Sequence, residues 1–431
     1  SCSWAVVISL HAAYCTPKIH HDHTMPPQAS SRSRHIRAAA EQGLCFAVVC
    51  PLVVMICRRL DPTSDRAVTV EVLPDDSKLA LYFLATMLSS LIVFNMTIRV
   101  DGDDHGHHGH HGAAQGVRTA HKLPRLEPGE IMHGAFAWPT ALLALASVAT
   151  LCVAGYLGAT DALPHPMVGV FLCAVSIFLS FTPMHDASHG SVAPRNRALN
   201  DAVGLLASAP FMFQYHVFRK VHLAHHRHTN EGKAFDPDHY ASEPPWGMEW
   251  LMPLRWATVF FWYNSYVTHK ATSEGDKAEA AEWESCRREI CVVPPVFVTS
   301  IWWAFGWHAV QYWALPFVLA TTWLMYVFDY VPHRPYLSTA HHDPFRATNV
   351  TSKLHPALPG GFLTSSGLSV LLLFQNYHNI HHLYPFLPFY RYGRVWARLR
   401  SELLRRGTIE MPFFALPRGG GGMGVAGAKG D

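Results

Sequence analysis

The sequence predicts an all-α integral membrane protein with two transmembrane helical hairpins, interfacial helices and a histidine-rich metal site on one membrane face. The first reason is composition: of 431 residues, 49% are hydrophobic and only 15% are charged, against about 25% charged in soluble domains. The second reason is that the charge deficit lies in long uncharged runs, as in membrane spans. The third is that three histidine clusters, each beside an apolar run, follow helical spacing.

Composition also argues against other classes of protein. The formal net charge is +3, and Lys and Arg are dispersed without a basic arm or interleaved aromatic residues, so we expect no nucleic-acid partner. The nine cysteines include no C-x-x-C pair, and several lie in apolar runs, where cysteine behaves as a small hydrophobic residue. Neither a disulfide framework nor a cysteine-based zinc site is therefore predicted.

Four regions are predicted along the chain. A basic stretch followed by a short apolar run at 44–57 is typical of a targeting signal, unless it is a spurious upstream translation. A span at 79–98 and a Gly-spaced histidine tract at 105–111, with incidental metal affinity, come next. The regions are 1–78, a targeting or spurious segment; 79–128, an additional span with a His/Gly-rich linker; 129–407, the main membrane domain; and 408–431, a disordered tail.

The main domain is predicted to contain two hairpins because it has two pairs of long apolar runs. Each pair is joined by a tight turn without Lys or Arg. Two other runs are expected to lie along the membrane interface, because one is too short to cross and the other is interrupted by Arg255 and Asn264. A last apolar run leads into the third histidine cluster. These segments are 135–157 and 167–183 for the first hairpin, 290–305 and 311–331 for the second, 202–213 and 250–267 at the interface, and 368–374 before the third cluster.

Each histidine cluster repeats at three or four residues, so on a helix its imidazoles point the same way. A structural histidine seldom needs two histidine neighbours on its own face, and the repetition favours a shared metal site. An even number of crossings separates the second and third clusters, so all three are expected on one side, which the positive-inside rule makes cytosolic or stromal. The predicted catalytic and metal-ligating histidines are His185, His189, His222, His225, His226, His378, His381 and His382.

A ninth ligand is predicted at His333, which follows the last long apolar run and lies four residues after Asp329. Imidazole suits zinc, copper, iron and nickel, and eight or nine nitrogens are too many for one ion but about right for two. Carboxylates beside ligand histidines fix the tautomer and raise the basicity of the ring. Asp186 and Asp329 are predicted to do this, and Asp236 and Asp238 are further candidates.

Five longer strings around the clusters carry a family resemblance. They are HDASHG from His185, HLAHHRHTN from His222, DPDH from Asp236, DYVPHRP from Asp329 and QNYHNIHHLYP from Gln375. The clusters resemble the three histidine boxes of the membrane fatty-acid desaturase and hydroxylase superfamily. Over residues 134–407 the strings are most similar to the cyanobacterial and algal β-carotene hydroxylases.

This resemblance implies a di-iron site, O₂ as co-substrate, and electrons from an external donor, either ferredoxin or cytochrome b5. It implies hydroxylation of the β-ionone ring of β-carotene at carbon 3, towards zeaxanthin, in a plastid membrane. An acyl-lipid desaturase or fatty-acid hydroxylase, with the same metal site and an endoplasmic-reticulum location, is the nearest alternative. A membrane metal transporter is an alternative of another class, since the tract at 105–111 would suit it.

Overall fold

The structure is a computed structural model that describes residues 122–131, 135–243, 248–336, 338–353 and 365–412. The predicted targeting segment, the span at 79–98, the histidine tract at 105–111 and the Gly-rich end of the tail lie outside these residues.

Helices dominate the described residues, as the sequence predicts. Short 3-10 segments connect several of them, at Pro128–Glu130, Ala209–Phe211, Pro237–Ser242, Glu249–Leu251, Gln375–Tyr377 and Phe389–Arg391. In chain order the helices are α1 Trp138–Ala159, α2 Pro166–Ser188, α3 Arg197–Ala207, α4 Tyr215–His228, α5 Met252–Ala257, α6 Val259–Ser273, α7 Lys277–Phe305, α8 Trp307–His333, α9 Ser365–Leu371, α10 His378–Leu383 and α11 Tyr392–Arg405.

Three of the described helices, α1, α2 and α8, are long and apolar enough to cross a membrane. The helices α1 and α2 form the predicted first hairpin. Pro166 begins α2, where its missing N–H costs nothing, and the His165 ring nitrogen Nδ1 accepts a hydrogen bond from the backbone N–H of Met167 at 3.1 Å. The helix then continues through Pro183 into the first histidine cluster, five residues beyond its predicted end.

The second hairpin is not confirmed in the form that the sequence predicted. Residues 290–305 are the C-terminal half of α7, whose first half is rich in charged residues. This apolar half is shorter than the about 20 residues that a membrane crossing requires. Gly306, with a positive φ of 53°, makes the expected turn into α8.

The helix α8 contains two π-helical segments, Val310–Ala314 and Met325–Tyr330. A π segment widens the turn by one residue. Asp329 lies in the second of these segments, and His333 ends the short α-helical turn that follows it.

The predicted interfacial runs are broken into short helices. The run at 202–213 is the second half of α3 and a 3-10 turn, and Asn196 caps α3 by accepting from the backbone N–H of Leu199 at 3.1 Å. The run at 250–267 is divided between α5 and α6. The run at 368–374 begins within α9.

A parallel strand pair departs from the all-α prediction. Strand β1, Asn349–Lys353, pairs with β2, Ile409–Pro412, in a register that places Val350 opposite Glu410. The β-branched residues Val350 and Thr351 favour this extended conformation. Because β2 follows α11, regular structure extends past the predicted domain end at 407. Strand β1 contacts both β2 and α10.

Candidate metal centre

Four helices bring the nine predicted histidine ligands to one place. The end of α2, the middle of α4, the end of α8 and the short helix α10 each contribute side chains. Each of these nine residues is buried or half-buried. The structure divides their donor nitrogens into two groups, and in each group the nitrogens lie within 4.8 Å of one another. We call the first, of His185, His189, His222, His226 and His381, the five-His group and the second, of His225, His333, His378 and His382, the four-His group.

The ring nitrogens in each group converge closely. In the five-His group, Nε2 of His189 lies 2.8 Å from Nε2 of His222. The corresponding Nε2 atoms of His226 and His381 are also 2.8 Å apart.

In the four-His group, Nε2 of His378 lies 3.1 Å from Nε2 of His333 and 3.0 Å from Nε2 of His382. The two groups are adjacent, since the rings of His226 and His382 stack with their centroids 4.2 Å apart.

Each H-x-x-H-H cluster is split between the two groups. On α4, His222 and His226 join the five-His group while His225 joins the four-His group. On α10, His378 and His382 stay together and His381 turns to the other group. In both clusters the two histidines that are four residues apart belong to the same group. Side chains at this spacing lie one above the other on a helix. Two helices therefore connect both groups and set the separation between them.

The donor set fits a pair of metal ions. Two nitrogens that share an ion at about 2.1 Å lie roughly 3 Å apart when they occupy adjacent positions, which is the spacing found here. Within the described residues, both ring nitrogens of His185 are buried and have no hydrogen-bond partner. A buried polar group without a partner is costly, and a metal ion bound to one of these two nitrogens would remove the cost at that nitrogen.

Asp236 supports His225. Its Oδ1 lies 2.8 Å from His225 Nδ1, and it also accepts from the backbone N–H groups of Asn230 and Asp238, at 2.7 and 2.9 Å. A carboxylate held in this way orients the ring so that Nε2 is free to bind metal. This is one of the further candidates in the sequence.

Asn230 supports His333 and was missed by the sequence reasoning. Its Nδ2 donates to the carbonyl oxygens of Ser338 and Ala347, at 2.8 and 2.6 Å. Its Oδ1 therefore faces His333 Nδ1, 3.1 Å away, and accepts that N–H. The residue has a positive φ of 62°, a conformation that asparagine tolerates better than most residues. No spacing rule links Asn230 to a histidine 103 residues later.

Tyr392 was also missed. Its hydroxyl lies 3.0 Å from His381 Nδ1, and both residues are fully buried. The predicted carboxylate supports are placed differently. Asp186 Oδ1 is 3.9 Å from His185 Nδ1, beyond hydrogen-bond distance, and its Oδ2 accepts instead from Thr140 and from the backbone of Phe389.

Electrostatics keep most of the centre neutral. Burial, followed by the neighbouring rings, lowers the pKa of the clustered histidines that lie outside the spans. These are His189, His222, His226, His378, His381 and His382. Neutral imidazole is the form that binds metal. Burial also disfavours the charged form of His225, but Asp236 and Asp238 outweigh it and raise the pKa of His225 to about 9.

A cavity of about 110 Å³ lies against the centre. Histidines from both groups contribute to its lining, and these are His185, His222, His225 and His378. The rest of the lining is mostly apolar and includes six phenylalanines. The phenylalanines are Phe181, Phe211, Phe218, Phe260, Phe317 and Phe328. Asp329 and Asp238 also line this cavity, so Asp329 lies near the centre although its predicted supporting role remains a prediction. Such a cavity suits a largely apolar ligand.

Comparisons with known proteins give one family match and several relatives. The family model "Fatty acid desaturase" matches residues 162–414. The chain is 31% identical over 242 residues to a β-carotene ketolase of Paracoccus sp., covering 54% of this chain and 82% of that protein. It is 26% identical over 250 residues to a β-carotene 4-ketolase of Haematococcus lacustris, covering 54% and 63%. It is 26% identical over 287 residues to an sn-1 oleoyl-lipid 12-desaturase of Synechocystis sp., covering 62% and 76%.

Proposed function

The chain belongs to the fatty acid desaturase family, and from that membership we propose that this membrane enzyme is an O₂-dependent oxygenase of the β-ionone ring of β-carotene. The observation that carries the proposal is the aromatic-lined cavity that ends on histidines of both groups. Membership of this family argues against the alternative of a membrane metal transporter, because the members of the family are enzymes.

Iron is the metal that the family implies, and the nine histidines fit two ions. The five-His group would hold one ion and the four-His group the other. When bound, iron would use O₂ and electrons from the external donor to oxidise a C–H bond of the substrate. The described residues supply the rest: Asp236 and Asn230 orient ligand rings, and the phenylalanines exclude water and position the apolar substrate.

The position of oxidation is the finer part of the proposal. The motif resemblance favours hydroxylation at carbon 3, whereas the named activities of two relatives favour ketone formation, in one of them at carbon 4. Carbon 4 is allylic to the ring double bond, so its C–H bond is weaker. We therefore propose oxidation at carbon 4 as the principal reaction and hydroxylation at carbon 3 as its competitor.

An acyl-lipid desaturase is the second candidate. One observation favours it: the match to the Synechocystis lipid desaturase covers a larger share of this chain than the match to the Paracoccus ketolase. The metal centre would be the same, and only the occupant of the cavity would differ. A plastid membrane and ferredoxin suit the carotenoid proposal, while the endoplasmic reticulum and cytochrome b5 suit this alternative.

Expression of the full chain in a bacterium that makes β-carotene, together with ferredoxin and its reductase, tests the proposal. Chromatography of the pigments should reveal a ring ketone, or a ring alcohol if carbon 3 is oxidised. A His185→Ala variant should abolish the product, and a matched His239→Ala variant, outside both groups, should retain it. A new double bond in the acyl lipids with unchanged β-carotene would overturn the carotenoid proposal in favour of the desaturase.

A further inference from the structure

We propose that His228, Glu231 and His341 form a third site, which binds one divalent transition-metal ion such as Zn²⁺. None of the three belongs to either histidine group, and their donor atoms lie within 4.8 Å of one another. We call this set the rim site. The inference does not depend on the oxygenase proposal.

The rim site has the donors and the access that zinc requires. Glu231 Oε2 lies 2.9 Å from His228 Nδ1, and its other oxygen, Oε1, lies 3.5 Å from His341 Nε2. Two imidazoles and one carboxylate are a common zinc ligand set, with water completing the coordination. The His341 side chain is 57% exposed, so an ion can enter from solvent.

The backbone holds the ligands in place before any ion binds. His228 ends α4 and Glu231 lies in the turn that follows, while His341 belongs to the loop before β1. A hydrogen bond already joins these two segments: the backbone N–H of Ala340 donates to the carbonyl oxygen of Thr229 at 3.2 Å. Asn230 Nδ2 adds a second bond, to the Ser338 carbonyl at 2.8 Å. Little conformational entropy is therefore lost when an ion joins the segments.

The location gives the ion a structural effect on the metal centre. Asn230 lies between two rim ligands in sequence and accepts from His333 of the four-His group. An ion at the rim site would link the turn that carries Asn230 to the loop before β1, with which Asn230 already forms hydrogen bonds. We therefore expect rim-site metal to raise the thermal stability of the iron-loaded protein.

Co²⁺ titration of the iron-loaded full chain in lipid nanodiscs tests the site, because Co²⁺ bound at low coordination number absorbs visible light. The comparison is between the parent, His341→Ala and Glu231→Gln. His342→Ala is the matched control, since His342 neighbours the site in sequence without belonging to it. The histidine tract at 105–111 is present in every variant, so only differences between variants are interpreted.

We expect His341→Ala and Glu231→Gln each to lose one equivalent of bound Co²⁺ and the associated visible bands, while His342→Ala retains both. A His341→Cys variant separates ligation from hydrogen bonding. Its thiolate should bind the ion and produce a sulfur-to-cobalt charge-transfer band that the parent lacks. Unchanged Co²⁺ stoichiometry in His341→Ala, or no such band in His341→Cys, would overturn the proposal and leave a hydrogen-bonded His–Glu–His cluster.

Discussion

Replacement of Asp236 by asparagine probes how the four-His group is held ready for metal. Asp236 is buried, and its carboxylate accepts from one imidazole and two backbone N–H groups. Asparagine has the same shape but presents one oxygen and one NH₂ group, so it cannot accept at all three places.

The asparagine amide could adopt two orientations, and each loses hydrogen bonds that the Asp236 carboxylate accepts. If NH₂ replaces Oδ2, it faces the backbone N–H of Asn230 at the present 2.7 Å. If it replaces Oδ1, it faces Asp238 N–H and donates to His225 Nδ1, which moves the ring proton to Nε2 and blocks metal binding. A buried donor without a partner costs about 1–3 kcal/mol, and loss of an outer hydrogen bond typically weakens metal binding about 10–100-fold.

We therefore expect Asp236→Asn to weaken binding of one of two iron ions by about 10–100-fold. Competition against an iron chelator, with the full chain in detergent, measures this directly, and product formation in the pigment assay should fall in parallel. Asp343→Asn is the matched control, because Asp343 Oδ1 accepts a backbone N–H from Phe345 at 3.0 Å but supports no histidine in either group. Two iron ions bound with parental affinity in Asp236→Asn would refute the reasoning.

Three further predictions concern pH and packing. The neighbouring carboxylates raise the pKa of His225 to about 9, so metal binding to this ring at pH 7 should release one proton. The affinity of the protein for iron should therefore rise about tenfold per pH unit up to about pH 9. Calorimetry in buffers of different ionisation enthalpy measures the proton release. The hydrogen bond from Arg398 lowers the pKa of Glu130, so this pair stabilises the protein fully above the usual carboxyl pKa of 4.5 and ceases to do so as pH falls through the lowered value. Glu130→Gln should therefore cost about 2 kcal/mol at pH 7 and little in acid, as followed by thermal unfolding. A Cβ at Gly204 would overlap the Tyr215 ring, so Gly204→Ala should destabilise the protein by about 1–2 kcal/mol although alanine favours helix.

Each of these predictions has a result that would contradict it, and the second and third also have a control variant. A pH-independent iron affinity between 7 and 9 would contradict the first. Glu127→Gln, at a side chain 66% exposed and 3.7 Å from Arg398, should change stability much less than Glu130→Gln, and equal effects would contradict the second. Gly232→Ala, where a Cβ meets nothing within 4 Å, should leave the melting temperature nearly unchanged. A Gly204→Ala variant as stable as the parent would show that Tyr215 moves without cost.

Local patterns in the sequence were sufficient for the family, the helical character and the set of histidines that come together. The reason is that a spacing of three or four residues encodes a helix face over one or two turns. The first hairpin follows from two apolar runs of sufficient length. The second does not, because residues 290–305 belong to α7, in which the charged first half and the apolar second half form one helix. Metal binding by the nine histidines remains a prediction.

The division of the histidines into two groups depended on long-range packing. The spacing on α4 predicted that His222, His225 and His226 share a face, yet His225 joins residues more than 100 positions away. Which group a ring joins is set by how α4 and α10 cross, and a chain's crossing angles follow from packing across the whole domain. Asn230 and Tyr392 reach their histidines for the same reason, since contacts between distant segments leave no periodic trace along the chain.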